Sequence, residues 1–96
     1  MNTYQLTAAA DTDLVSIIAI SIAQRGLPRT EIYIMELHQA FENLASYPHM
    51  GKSIRELRAG YFQFSHDRHN VFYQISSTGI TIVRVLHNKQ HPKNYL

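Results

Sequence analysis

Cysteine is absent from this chain. That excludes disulfides, zinc–thiolate centres and thiol catalysis, and it accords with a reducing compartment. Charge is sparse as well: Asp, Glu, Lys and Arg together make 17% of the residues. Set beside 45% hydrophobic and 10% aromatic residues, this argues for a folded domain whose surface is partly apolar and meant to be covered. Long apolar runs are missing. The longest, Leu14 to Ala23, is broken by Ser16 and Ser21, so no membrane span and no membrane partner are expected. No apolar run follows a basic leader, so no signal peptide is expected and a cytoplasmic location is. There is no glycine-rich phosphate loop, internal repeat or low-complexity segment. The second half holds only two carboxylates, Glu56 and Asp67, which leaves a serine–histidine–acid triad without local support.

What is present is unevenly distributed. Ninety-six residues make one domain, 1–96, large enough to bury a core with a modest margin of stability. Residues 1–48 carry two arginines against five carboxylates, a balance of −3. Residues 49–96 carry seven Lys and Arg against two carboxylates, a balance of +5, and five of the six histidines. Such asymmetry points the C-terminal half toward something anionic, or is an ordinary solvated surface.

Taken in order, Thr3 to Ala8 alternates as a short strand. Asp11 is read as the N-cap of a helix reaching about Gln24, with Leu14, Ile17, Ile18 and Ile22 at helical spacing. Five β-branched residues make that window ambiguous, and the cap and Gly26 favour helix. Pro28 opens a second helix with Tyr33, Ile34, Leu37, Phe41, Leu44 and Ala45 on its buried stripe, ending near Tyr47-Pro48. The link is short, so the helices form a hairpin. Four strands follow: Ile54 to Arg58, Tyr61 to His66, Asn70 to Ser76, and a last one from Gly79. In this last strand Ile80, Ile82 and Leu86 are placed on one face and Thr81, Val83 and Val85 on the other. It reads as central and covered on both sides. The fold class is α+β: an N-terminal strand and a helical hairpin packed on a C-terminal antiparallel sheet, in the order β-α-α-β-β-β-β. A hairpin covers one sheet face only, so the other face is expected to keep an apolar patch for a partner.

The candidate chemistry sits in the basic half. His66 and His69 flank a turn, and His87 and His91 are four apart. No supporting carboxylates stand near, and neither a metal nor a cofactor is expected. His87 or His91 could move a proton while Arg58, Arg84 and Lys89 steady a phosphate and Tyr95 supplies a hydroxyl or a stacking ring. Alternatively Arg84 pairs with a carboxylate such as Glu56, and His87 is a satisfied strand-end residue.

A resemblance sharpens this. Ala10, Asp13, Leu14 and Ile17 match the pattern A-x-x-D-L-x-x-I. Phe41, Leu44, Ala45, Pro48 and Gly51 match F-x-x-L-A-x-x-P-x-x-G. Residues 54–64 resemble E-L-R-x-G-x-x-x-F, and Tyr73 with residues 79–87 resembles F-Y-x followed by I-x-I-x-R-V-L-H. The ordered set, over some ninety residues, resembles the ParE branch of the RelE/ParE superfamily, the toxins of type II toxin–antitoxin modules. The resemblance implies the same hairpin-on-sheet fold and a cognate antitoxin that wraps the toxin in a hetero-oligomer. It also implies growth inhibition through DNA gyrase, trapped on cleaved DNA, without enzymatic activity and without direct reading of nucleic acid. RelE-like relatives instead cleave messenger RNA on the ribosome, with a non-toxic binding relative as a third possibility. An arginine typical of that ribonuclease type is Asn70 here, which weakens a phosphate clamp. The pattern also departs at Phe62, where a basic residue is usual, and at His91, where an acidic one is. From the resemblance, Arg55, Arg58, Phe64, Tyr73 and Arg84 are expected to meet the antitoxin. His87, Lys89, His91, Lys93 and Tyr95 are expected to meet the target. The ribonuclease alternative would use Arg58, Arg84, His87, Lys89 and Tyr95.

Overall fold

The computed structural model describes residues 2–96. Strand β1 (Thr3–Leu6) leads into α1 (Ala8–Arg25) and α2 (Leu27–Ser46), and a single 3₁₀ turn (Pro48–Met50) leads to β2 (Lys52–Ser53), β3 (Phe62–His66), β4 (His69–Ser76) and β5 (Gly79–His87). A second 3₁₀ turn, Pro92–Asn94, ends the chain. The element order and class are those read from the sequence. The sheet runs β1-β5-β4-β3-β2 and is mixed, because β1 lies parallel to β5 while the other pairs are antiparallel.

The N-cap is Thr7, not Asp11. Its Oγ1 accepts the Ala10 amide at 3.1 Å, and the same hydroxyl donates to the Val83 carbonyl at 2.7 Å. One threonine therefore starts the helix and ties it to β5, a double role that Asp11, exposed in the first turn, does not have. Gly26 separates the helices with φ 86°, a left-handed conformation that favours glycine. The hairpin is pinned by Thr30, whose hydroxyl donates to the Gly26 carbonyl at 2.9 Å and lies 2.8 Å from Ser21 Oγ.

The helix-facing core joins Ala10, Ile17, Tyr33, Leu37, Phe41 and Leu44 to Val71, Tyr73, Ile80, Ile82 and Val85. The opposite face holds Phe72 and Leu86, and the structure corrects the expectation that it is bare. Residues 54–58, read from the sequence as a strand, instead fold with 59 and 60 into a loop in which the Arg58 and Leu57 amides both bond the Ile54 carbonyl. Ile54 and Tyr61 press this loop onto Phe72 and Leu86, and Val83 and Leu96 pack against the same cluster. Phe72 is fully buried. The chain thus supplies its own second cover, so no open apolar sheet face remains for a partner on that side.

A second correction concerns β5. Phe72 pairs with Arg84 and Tyr73 with Ile82, so Val83 is an extra residue, a bulge. Past it the alternation flips. Val85 joins Ile80 and Ile82 on the helix face, and Leu86 joins Val83 on the other. Strict two-residue alternation had assigned them the other way.

Gly79 is where β1 meets β5. Its φ is 146°, and a Cβ there would fall on the Thr3 carbonyl oxygen. Replacing Gly79 by alanine is expected to lower the unfolding free energy by about 2 kcal/mol or more, through backbone strain and displacement of β1. A shift of the urea midpoint is the measurement, and an unchanged midpoint contradicts this placement of β1.

Candidate functional site

β1 ends at Leu6, but β5 continues to His87, so the outer edge of β5 loses its strand partner halfway along. Exposed backbone edges need partners. Here side chains provide them. Thr7 takes the Val83 carbonyl, Asp13 Oδ2 accepts the Val85 amide at 2.9 Å, and Gln90 Oε1 accepts the His87 amide at 2.8 Å.

Asp13 does more. Arg84 Nε donates to its Oδ2 and Arg84 Nη2 to its Oδ1, both at 2.8 Å, a two-pronged guanidinium–carboxylate pair. The third arm, Arg84 Nη1, donates to the Tyr95 carbonyl at 3.1 Å, and the guanidinium lies 5.6 Å from the Tyr95 ring centre. The pair is largely screened from water, with side chains 22% and 13% exposed. Its partner is Asp13, not Glu56. Asp13 and Arg84 belong to the two sequence patterns most distant along the chain, and they meet here as one clasp joining α1, β5 and the C-terminal tail.

The expected site residues therefore divide. Tyr73 is buried, its hydroxyl donating to the Pro48 carbonyl at 2.6 Å and accepting the Gly51 amide at 3.0 Å. It has no surface to offer an antitoxin. Arg84 is engaged by Asp13 and the tail. Phe64 is half-buried against the helix-facing core. Arg55 and Arg58 are exposed on the loop that seals the second face, with Arg58 4.9 Å above the Tyr61 ring. Lys89, His91, Lys93 and Tyr95 are exposed on the tail. His91 Nδ1 accepts the Lys93 amide at 3.2 Å and shapes the final turn. Loop and tail pack on one cluster through Ile54, Tyr61 and Leu96; the loop exposes Arg55, Glu56 and Arg58, and the tail exposes Lys89 and Lys93.

His87 leaves that group. Its Nδ1 accepts the Lys89 amide at 3.1 Å, while its ring stands edge-on to His69 with centroids 5.5 Å apart. The strands set this contact, because His66 pairs with His69 across β3–β4 and His69 with His87 across β4–β5. Tyr33 of α2 completes the row, its hydroxyl 2.6 Å from His69 Nδ1 and 3.3 Å from the His66 carbonyl. His66 Nε2 is buried without a hydrogen-bond partner, 3.9 Å from Glu36. Burial pushes the Tyr33 hydroxyl up to about 12. Burial first, and the neighbouring His87 second, hold the His69 imidazole below its ordinary range. His69 and His87 border a cleft of about 450 Å³ between α1 and the β3–β4 turn. The sequence reading noted each histidine and the four-residue spacing of His87 and His91; only the cross-strand register puts His87 beside His69. Among the described residues no group of three or more His, Cys, Asp or Glu is placed to hold a metal ion, and no helix is long and apolar enough to cross a membrane.

Comparison with known proteins bears on this arrangement. Residues 4–92 match the model of a family described as the ParE toxin of the type II toxin–antitoxin system parDE. The chain is 34% identical over 87 residues to Toxin ParE1 of Mycobacterium tuberculosis, covering 90% of this chain and 89% of that one. It is 33% identical over 96 residues to Toxin ParE1 of Caulobacter vibrioides, covering 100% and 99%. The fold is similar to a chain of the chromosomal ParDE toxin–antitoxin system of P. aeruginosa, with a TM-score of 0.77 at 15% identity over 91% of this chain and 96% of that one. It is also similar to a chain of the M. tuberculosis RelBE2 toxin–antitoxin complex, with a TM-score of 0.65 at 27% identity over 90% and 96%.

Two outcomes are expected. Arg84→Lys keeps the charge but loses the fork, and should lower stability by about 1–2 kcal/mol in urea titrations; an unchanged midpoint contradicts the clasp. His69 has a folded-state pKa below its unfolded value of 6.5, so its contribution to stability is present above that pH and is lost as pH falls through the folded value. The melting temperature should therefore drop on acidification below 6.5. His69→Asn, which does not titrate, should flatten that drop; an unaltered pH profile in the variant contradicts the assignment.

Proposed function

The chain belongs to the ParE family of type II toxin–antitoxin toxins, and from that premise we propose that it arrests growth by inhibiting DNA gyrase, without catalysis of its own, until a cognate antitoxin neutralises it. The observation that carries the proposal is the set of exposed cations on the loop and the tail. Lys89 and Lys93, with His91 and Tyr95, form the face offered to gyrase and its bound DNA, where several exposed cations steer association with a polyanionic complex. Arg55 and Arg58, with the rim of Phe64, lie on the loop and β3 and take carboxylates of the antitoxin. Arg84 contributes by position, holding the tail through its bond to Tyr95.

The ribonuclease alternative would need Arg58, Arg84, His87, Lys89 and Tyr95 around one phosphate. Arg84 is already occupied by Asp13, and His87 turns toward His69 on the helix side of the sheet. A phosphate clamp needs free guanidinium donors. Asn70, where the ribonuclease branch carries a cation, accepts the Ser65 hydroxyl at 2.7 Å. The arrangement favours a binding surface over a catalytic one.

Incubation of the purified chain with gyrase and supercoiled plasmid is expected to accumulate cleaved plasmid–gyrase complexes. Incubation with translating ribosomes is expected to leave messenger RNA intact. Lys89→Glu with Lys93→Glu should lower trapping about tenfold or more while the far-ultraviolet spectrum is unchanged. Mapped cuts in message without trapped plasmid would overturn the gyrase reading.

A further inference from the structure

Helix α1 is apolar on every side. Ile17 is buried in the core, Ile20 lines the cleft beside Val85, and Leu14 and Ile18 line a second groove against Ile34 and Leu37 of α2. Val15 and Ile22 belong to none of these surfaces and are 62% and 41% exposed. No charged residue stands between Asp13 and Arg25. A helix that is apolar all round is ordinarily covered all round. Here one side is open.

That side has an order of its own. Thr12, Val15, Ala19 and Ile22 are all exposed, and their spacing of three, four and three is that of a coiled-coil seam. The Thr12 hydroxyl donates to the Ala8 carbonyl at 3.1 Å, so its proton is satisfied within the helix and the residue can be covered without loss.

We propose that this seam is the contact surface for a second copy of the chain, paired through α1 in the antiparallel sense about a two-fold axis level with Ile17. The spacing reads the same in both directions. The axis therefore sets Val15 of one copy against Ala19 of the other, and Thr12 against Ile22, larger against smaller in every layer. Each contact is made twice, as an isologous interface requires. A parallel pair would instead stack Val15 on Val15 and Ala19 on Ala19, and leave gaps.

Charge and area choose the occupant. An acidic or basic segment would find no opposite charge on the seam. A membrane surface would find no Lys or Arg along it to reach the headgroups. A second copy brings the same uncharged row. Eighteen residues of helix are about 27 Å long, and with the flank of α2 that carries the exposed Met35 the face is about 20 Å wide, or roughly 1,000 Å² over both copies. That is enough for a modest dimer. The hairpin and the loop 54–60 lie on opposite faces of the sheet, so pairing leaves loop and tail open in each copy and is independent of the gyrase reading.

Sedimentation equilibrium of the purified chain from about 2 to about 200 µM should show the mass passing from 11.1 kDa to twice that value, with a midpoint in the tens of micromolar. Val15→Glu with Ile22→Glu should hold the mass at 11.1 kDa throughout with an unchanged circular dichroism spectrum, because both side chains are exposed in the single copy. The chain has no cysteine, so introduced thiols report the register without background. An oxidised mixture of Thr12→Cys and Ile22→Cys chains should form a disulfide-linked dimer of the two. Thr12→Cys alone should not, because the axis holds its two copies about 15 Å apart along the helix. The cysteine mixture decides on its own if the glutamate pair unfolds the chain. A constant monomer mass for the wild-type chain, undiminished dimerisation of the folded glutamate variant, or cross-linking of Thr12→Cys alone as fast as the mixture would each overturn the proposal. So would binding to anionic lipid vesicles that the glutamate substitutions abolish.

Discussion

The structure turns on the ion pair of Asp13 and Arg84. The reason is topological. β1 covers only the first part of β5, and the rest of that edge needs hydrogen-bond partners that no strand supplies. Asp13 takes the Val85 amide and both prongs of Arg84, and it sits in a helix that Thr7 fastens to the same edge. The bulge at Val83 brings Arg84 into register with this edge. The remaining guanidinium arm reaches the Tyr95 carbonyl, and Leu96 then packs on Leu86 and Phe72. Sheet edge, helix and tail are bound through one charged contact, so removing Asp13 would leave a partly buried guanidinium and an unpaired Val85 amide, and removing Arg84 a partly buried carboxylate.

That clasp decides what is left for function. It engages the arginine most attractive for catalysis and holds the tail that carries Lys89 and Lys93. The loop 54–60 covers the second sheet face instead of leaving it for a partner. The two sides of the molecule then differ in character. The loop-and-tail side is basic and suits a target or antitoxin rich in negative charge. The helix side carries the cleft bordered by His69 and His87, with Ile17, Ile20 and Val85 among its lining.

The helical hairpin was legible because apolar side chains recur with helical period, and Tyr33, Leu37, Phe41, Leu44 and Ala45 are all buried as that period requires. The order of strands was legible from turn residues such as Asp67, which takes a positive φ of 53° at the β3–β4 reversal. The face assignment past Val83 was not, because a bulge is set by the partner strand and not by the strand's own residues. Nor was the fate of residues 54–58, since Ile54 and Leu57 set no clear period and only the packing of Ile54 and Tyr61 against Phe72 and Leu86 makes this segment a cover. The family motifs were visible as text, but Asp13 and Arg84 lie 71 residues apart and nothing local marks them as partners. The meeting of His69 with His87 depends in the same way on register, because the two lie on neighbouring strands.

The claim that one ion pair couples the β5 edge to the tail can be tested by native-state hydrogen exchange of the chain and its Asp13→Asn variant. The Val85 amide bonds to Asp13, and the Tyr95 and Leu96 amides bond to the Pro92 carbonyl in a tail held by Arg84. If the clasp couples them, protection of all three should fall together by about tenfold or more, while Ile80 and Ile82, paired within the sheet, keep theirs. Loss of protection at Val85 with Tyr95 and Leu96 unchanged would contradict the account, because the tail would then be held without the pair.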